Sequence, residues 1–72
     1  MAKKYLVILE RGEDGSYSAY VPDLPGCASC GNTLDEVKKS IKEAIDFHIE
    51  GLREEGLDVP EPTTNCDFVE AA

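Results

Sequence analysis

The apolar and polar positions change their period along the chain, and each change marks an element. Lys4-Tyr5-Leu6-Val7-Ile8-Leu9-Glu10 is β-branched, aromatic and apolar on both faces, the mark of a central strand. Arg11-Gly12-Glu13-Asp14-Gly15 is turn material, its Asp-Gly pair suited to the positive φ of a tight reversal. Ser16 to Val21 then alternates, with Tyr17, Ala19 and Val21 on one face and Ser16, Ser18 and Tyr20 on the other. The two segments predict an antiparallel hairpin. Pro22-Asp23-Leu24-Pro25-Gly26 ends the second strand, and the small-sided Cys27-Ala28-Ser29-Cys30 predicts a third, closed by Gly31-Asn32.

A helical period follows. Thr33-Leu34-Asp35-Glu36 is a capping box, in which the Thr33 hydroxyl accepts from the Glu36 amide and the Glu36 carboxylate reaches back. Leu34, Val37, Ile41, Ala44, Ile45, His48 and Leu52 fall at spacings of three and four, predicting a helix from Leu34 to Glu55 with Gly56 as its stop. Leu57 to Thr64, with Pro60 and Pro62, reads as an extended connector, and Asn65 to Glu70 alternates like a fourth strand. The fold class is therefore α+β, in the order β-β-β-α-β: a small, mostly antiparallel sheet with one helix packed on one face, residues 1–72 forming a single domain. A right-handed crossover would lay the last strand parallel to the first and make the first central. One helix covers one face only. Either Leu6 and Ile8, or Tyr5, Val7 and Leu9, must then meet another chain.

Composition narrows the function. At 72 residues the chain buries only about 60% of the surface its unfolded form exposes, so a partner chain, a metal or a disulfide would help it. No apolar run approaches the ~18 residues of a membrane span, and no secretory leader precedes the first strand, so a cytoplasmic protein without membrane contact is expected. Seven Lys and Arg against fifteen Asp and Glu give a net charge of −8, which repels nucleic acid and suits a basic protein partner, or merely keeps a small protein soluble. Three cysteines fit a reducing compartment.

Candidate chemistry is sparse. Cys27, Cys30, Cys66 and His48 could be drawn as a zinc site, but structural zinc takes two close-spaced ligand pairs, and strand placement would turn Cys27 and Cys30 to opposite faces. His48, the only histidine, lies within the apolar helix stripe, where a packed or interface role outweighs a catalytic one. Ser29, Ser40 and Thr33 have no activating base, and Thr33 is accounted for as a cap. No phosphate loop and no cluster of strand-borne acids is present, so neither an enzyme nor a cofactor is expected. Phe47 points away from the apolar stripe, either as a lone exposed aromatic or as an interface anchor.

Asp23-Leu24-Pro25-Gly26-Cys27, followed by Gly31-x-Thr33-x-x-Glu36 and an amphipathic helix, resembles the HicB antitoxin family. The hairpin approach Tyr17-Ser18-Ala19-Tyr20-Val21-Pro22 and the proline-rich connector fit it as well, so the resemblance covers Lys4 to Val69. It implies a partial RNase H-like fold of the HicB N-terminal domain type without nuclease residues, as in the stand-alone UPF0150-type members. It also implies the partner, a small basic mRNA-cleaving toxin of the HicA type, and assembly as a homodimer or homotetramer.

Many members carry a C-terminal DNA-binding segment. After Val69 only Glu70, Ala71 and Ala72 remain, so direct DNA binding is not expected. The motif residues Asp23, Leu24, Pro25, Gly26, Cys27, Gly31, Thr33 and Glu36 read mainly as structural. The candidate partner surface is Phe47, Asp58, Glu61, Asp67, Phe68 and Glu70, the C-terminal part containing no basic residue. The expected function is inhibition of the toxin by occlusion. The alternative is an orphan interaction module of the same family with another partner.

Overall fold

A computed structural model describes residues 3–72, leaving Met1 and Ala2 of the expected 1–72 domain outside. Three strands, β1 (Ile8–Arg11), β2 (Tyr17–Tyr20) and β3 (Ala28–Gly31), precede one helix, α1 (Leu34–Glu54). The sheet is antiparallel in the order β1-β2-β3. Cross-strand rows Leu9–Ala19–Ser29 and Arg11–Tyr17–Gly31 share one face, and Ile8–Tyr20–Ala28 and Glu10–Ser18–Cys30 share the other. The helix lies against β3 and β2 on the first face. The α+β class and the alternation predicted for β2 hold.

The core is small and continuous. Ala19, Val21, Leu24, Cys27, Val37 and Ile41 are buried, flanked by Tyr5, Val7, Tyr17, Ala44, Ile45 and Ile49. Tyr5 and Val7 therefore face the helix, which resolves the choice between the two sets of first-strand residues. The helix spans about 32 Å and a four-residue strand about 13 Å, so half the helix overhangs the sheet. The extended Tyr5–Val7 stretch sends Tyr5 and Val7 against the core beside the sheet.

Both ends of α1 are built as the pattern predicts. Thr33 Oγ1 accepts from the Glu36 amide at 3.1 Å, while the Glu36 carboxylate accepts from the Asn32 amide at 2.9 Å, one residue earlier than a standard capping box. Gly56, at φ 71°, donates to the Arg53 carbonyl, and Leu57 donates to that of Leu52, forming a Schellman motif.

Two expectations fail. The first strand is an edge strand, not the central one, and it is shorter than its apolar run. Beyond the Ile8–Tyr20 pair the neighbouring chain turns away at Pro22, leaving Tyr5 to Val7 no ladder partner. The fourth strand does not form, and residues 57–72 contain no regular element. Pro60 and Pro62 have no amide to donate, and the amides of Thr63 and Thr64 bond the Asp23 side chain. Nothing from this segment reaches the β1 ladder. The radius of gyration, 13.8 Å, accordingly exceeds the ~11 Å of a compact chain of this length.

Candidate partner interface

Most of the motif residues occupy defined places in the fold. The Val21–Cys27 loop is tied by three backbone bonds: Val21 amide to Cys27 carbonyl, Leu24 amide to Val21 carbonyl, and Cys27 amide to Leu24 carbonyl, at 3.0–3.1 Å. Gly26 adopts φ 85° and closes the loop where a side chain would be strained. Leu24 is fully buried and plugs the core from the loop side. Pro25 stays exposed at the tip. Gly31 lies so close to the start of α1 that a Cβ there would stand 2.7 Å from the Val37 nitrogen. Its reason is close approach, a signal that a terminal strand glycine before a helix cap does carry in sequence.

Asp23 reaches beyond its own turn. Its carboxylate bonds the distant C-terminal segment. Thr63 donates to it through its amide (3.0 Å) and hydroxyl (3.1 Å), and Thr64 through its amide (3.0 Å) and hydroxyl (2.7 Å). The Thr64 and Thr63 donors hold the Asp23 carboxyl below the usual carboxylate range, because they bind its charged form. Tyr5 Oη also donates to the Pro60 carbonyl at 2.5 Å, and Lys3 pairs with Glu61. These ties strap residues 60–64 across the N-terminal stretch and the Val21–Cys27 loop.

Among the described residues, several apolar points are left uncovered. One is the open sheet face, where Tyr20 is 42% exposed beside Ile8, Ala28 and Cys30. Another is the arm beyond Thr64, with Phe68 97% and Val69 87% exposed between Asp67 and Glu70. Phe47, 79% exposed on the helix, is a third apolar point. Asp58 is exposed and Glu61 is engaged with Lys3. The structure thus brings Glu61 into the strap and leaves Asp67, Phe68 and Glu70 on the arm. Phe47 stands on a different element.

The three thiols differ in exposure. Cys27 is buried, where desolvation pushes its thiol up, while Cys30 and Cys66 are exposed. Among the described residues no three His, Cys, Asp or Glu side chains gather as a metal site. His48 is half-buried on the helix. An open polar depression of about 580 Å³ is lined by Asp14, Ser16, Cys30, Gly31, Asn32, Glu36 and Ser40. Ser29 and Ser40 hydrogen-bond each other at its margin, and neither has a basic partner. No helix of the described residues is long and apolar enough to cross a membrane.

Comparison with known proteins places this arrangement. Residues 5–71 match the model of a HicB-like antitoxin of bacterial toxin–antitoxin systems. A UPF0150 protein of Thermoplasma acidophilum is 46% identical over 57 residues, covering 79% of this chain and 83% of that protein. An uncharacterised 14.9 kDa protein from the rep–hol intergenic region of Haemophilus phage HP1 is 48% identical over 56 residues; the match covers 78% of this chain but only 41% of the phage protein. Among solved structures, the N-terminal domain of Burkholderia pseudomallei antitoxin HicB matches with a TM-score of 0.69 and 35% identity, over 86% of this chain and 69% of that one. A chain of the HicA3 and HicB3 toxin–antitoxin complex matches with a TM-score of 0.69 and 34% identity, over 85% of this chain and 70% of that one.

Proposed function

Because this chain belongs to the family of HicB-like antitoxins of bacterial toxin–antitoxin systems, we propose that it binds a small basic HicA-type toxin and occludes its RNA-cleaving surface, without catalysis of its own. The match to a chain of a HicA–HicB complex is the observation that carries this reading. Charge supports it. A protein of net charge −8 is steered toward a cationic surface, and an RNA-cleaving surface must be cationic to hold phosphates. The apolar points Phe47, Phe68 and Val69 supply anchors of the kind that interfaces bury.

In this reading residues 1–72 act as one domain, and the uncovered face bearing Ile8, Tyr20 and Ala28 is where a second copy packs in a homodimer or homotetramer. The similarity to UPF0150 proteins favours one alternative, an interaction module of the same family serving a different partner.

Co-expression with the product of an adjacent gene for a small basic protein tests the first reading. A complex that co-purifies at low salt, weakens as salt rises and silences RNA cleavage is expected. Absence of any complex at low salt would overturn it.

A further inference from the structure

Among the described residues, Asp23 is the side chain on which the loop after β2 and the C-terminal tail converge. We propose that Asp23, Thr63 and Thr64 form a latch that fixes where the C-terminal arm, residues 65–72, leaves the domain, so that the arm is offered in a set position to a cationic protein surface. The role of the arm in binding rests on the antitoxin reading; the latch itself does not.

The geometry is specific. Both carboxylate oxygens of Asp23 are used, Oδ2 by the two amides and Oδ1 by the two hydroxyls. Consecutive threonines present amide and hydroxyl donors together, matching the acceptor capacity of one ionised carboxylate. Beyond Thr64 the arm is exposed throughout, and its hydrogen bond among the described residues is local, from the Phe68 amide to the Asp67 side chain. Upstream, Tyr5 and Lys3 hold Pro60 and Glu61 independently. Loss of the latch therefore frees the chain from Pro62 outward and leaves the rest of the strap in place.

The arm's chemistry selects its partner. Residues 57–72 carry Asp58, Glu61, Asp67 and Glu70 and no basic residue, and Glu61 is already paired with Lys3. Asp67 and Glu70 flank the exposed Phe68 and Val69, a short acidic and apolar strip that complements a basic surface with an apolar hollow. A tethered root confines the arm to a smaller volume, so less freedom is lost on docking.

Amide hydrogen exchange on the full chain, followed residue by residue by NMR, tests the latch. In Asp23→Ala, the Thr63 and Thr64 amides should exchange about tenfold faster while those of Val37 and Ile41 keep their protection. Asp23→Asn retains the shape but not the charge and should accelerate the same two amides by a smaller factor, which keeps the test usable if the alanine variant folds poorly. Unchanged exchange at Thr63 and Thr64 in both variants, with the core intact, overturns the latch. A catalytically silenced HicA-type toxin then serves as the binding probe. About tenfold weaker binding by Asp23→Ala is expected. Equal binding by the unlatched variant overturns presentation of the arm. No binding even by the wild type sinks the antitoxin reading instead, and the exchange result still decides the latch.

Discussion

Two glycine-to-alanine substitutions in this chain should shift stability in opposite directions. At Gly31 the added Cβ would lie 2.7 Å from the Val37 nitrogen and 3.1 Å from both the Glu36 carbonyl carbon and Cβ. These are helix atoms, and the backbone among them cannot rotate aside. Ordinary contact begins near 3.4 Å, so the start of α1 must retreat by about 0.7 Å, the difference of the two distances. Val37 is fully buried, and the retreat opens the core around it. Overpacking of this kind costs about 1–3 kcal/mol, partly offset by about 0.4–1 kcal/mol from a stiffer unfolded chain. The net loss of about 1–2 kcal/mol lowers Tm by roughly 5–15 °C in a domain of this size. Gly51 is the reverse case. It lies inside α1 with nothing within 4 Å of a Cβ, and its φ is not positive. Alanine there should stabilise by about 1 kcal/mol and raise Tm by roughly 4–8 °C. Thermal melts of the two variants beside the wild type, followed by circular dichroism at neutral pH, read both. A Gly31→Ala protein that melts no lower than the wild type would refute the close-approach argument, whatever Gly51→Ala does.

Other consequences are open to measurement. Leu24→Ala removes a fully buried plug and should cost about 2–5 kcal/mol in urea unfolding, a large share of a total stability of order 4–11 kcal/mol. Thr33→Ala should cost about 1 kcal/mol in urea unfolding through loss of the helix cap. The Asp23 and Asp14 carboxyls are held below the ordinary carboxylate value in the folded state, chiefly by Thr64 and Ser16 donors respectively. Their contribution is thus complete above the unfolded value and fades as pH falls through it toward the lowered folded value. Between about pH 5 and pH 3 the wild-type urea midpoint should drop more steeply than that of Asp23→Asn, and parallel curves would contradict this.

Much of the architecture was written in local patterns. The alternation of Ser16 to Val21, the Asp-Gly turn, the Thr33 cap and the Gly56 stop are each settled within a few residues, and each appears as expected. The first strand misled because an apolar run on both faces fits a central strand and also an edge strand continued by a packed extended stretch. Tyr5 and Val7 are apolar because they pack against the core without ladder partners, which the apolar run alone does not distinguish from a paired strand. The fourth strand misled for a related reason. Asn65 to Glu70 alternates, but pairing requires the preceding residues to arrive at an edge, and Thr63 and Thr64 are bound elsewhere. Asp23 could not be assigned its partners from sequence, because they lie 40 and 41 positions away. The helix stripe was nearly right. Ile49 packs against the core although the spacing passes it over, and Leu34, included in the stripe, is 40% exposed.

The division of the three thiols gives the molecule a built-in clock for its own opening. A maleimide or disulfide reagent should find Cys30 and Cys66 at once and Cys27 only when the Val21–Cys27 loop or the whole domain opens. The mass of a third adduct, accumulating with time, therefore counts those openings directly, with no dye, tag or engineered residue. A bound partner would slow that count in proportion to its grip.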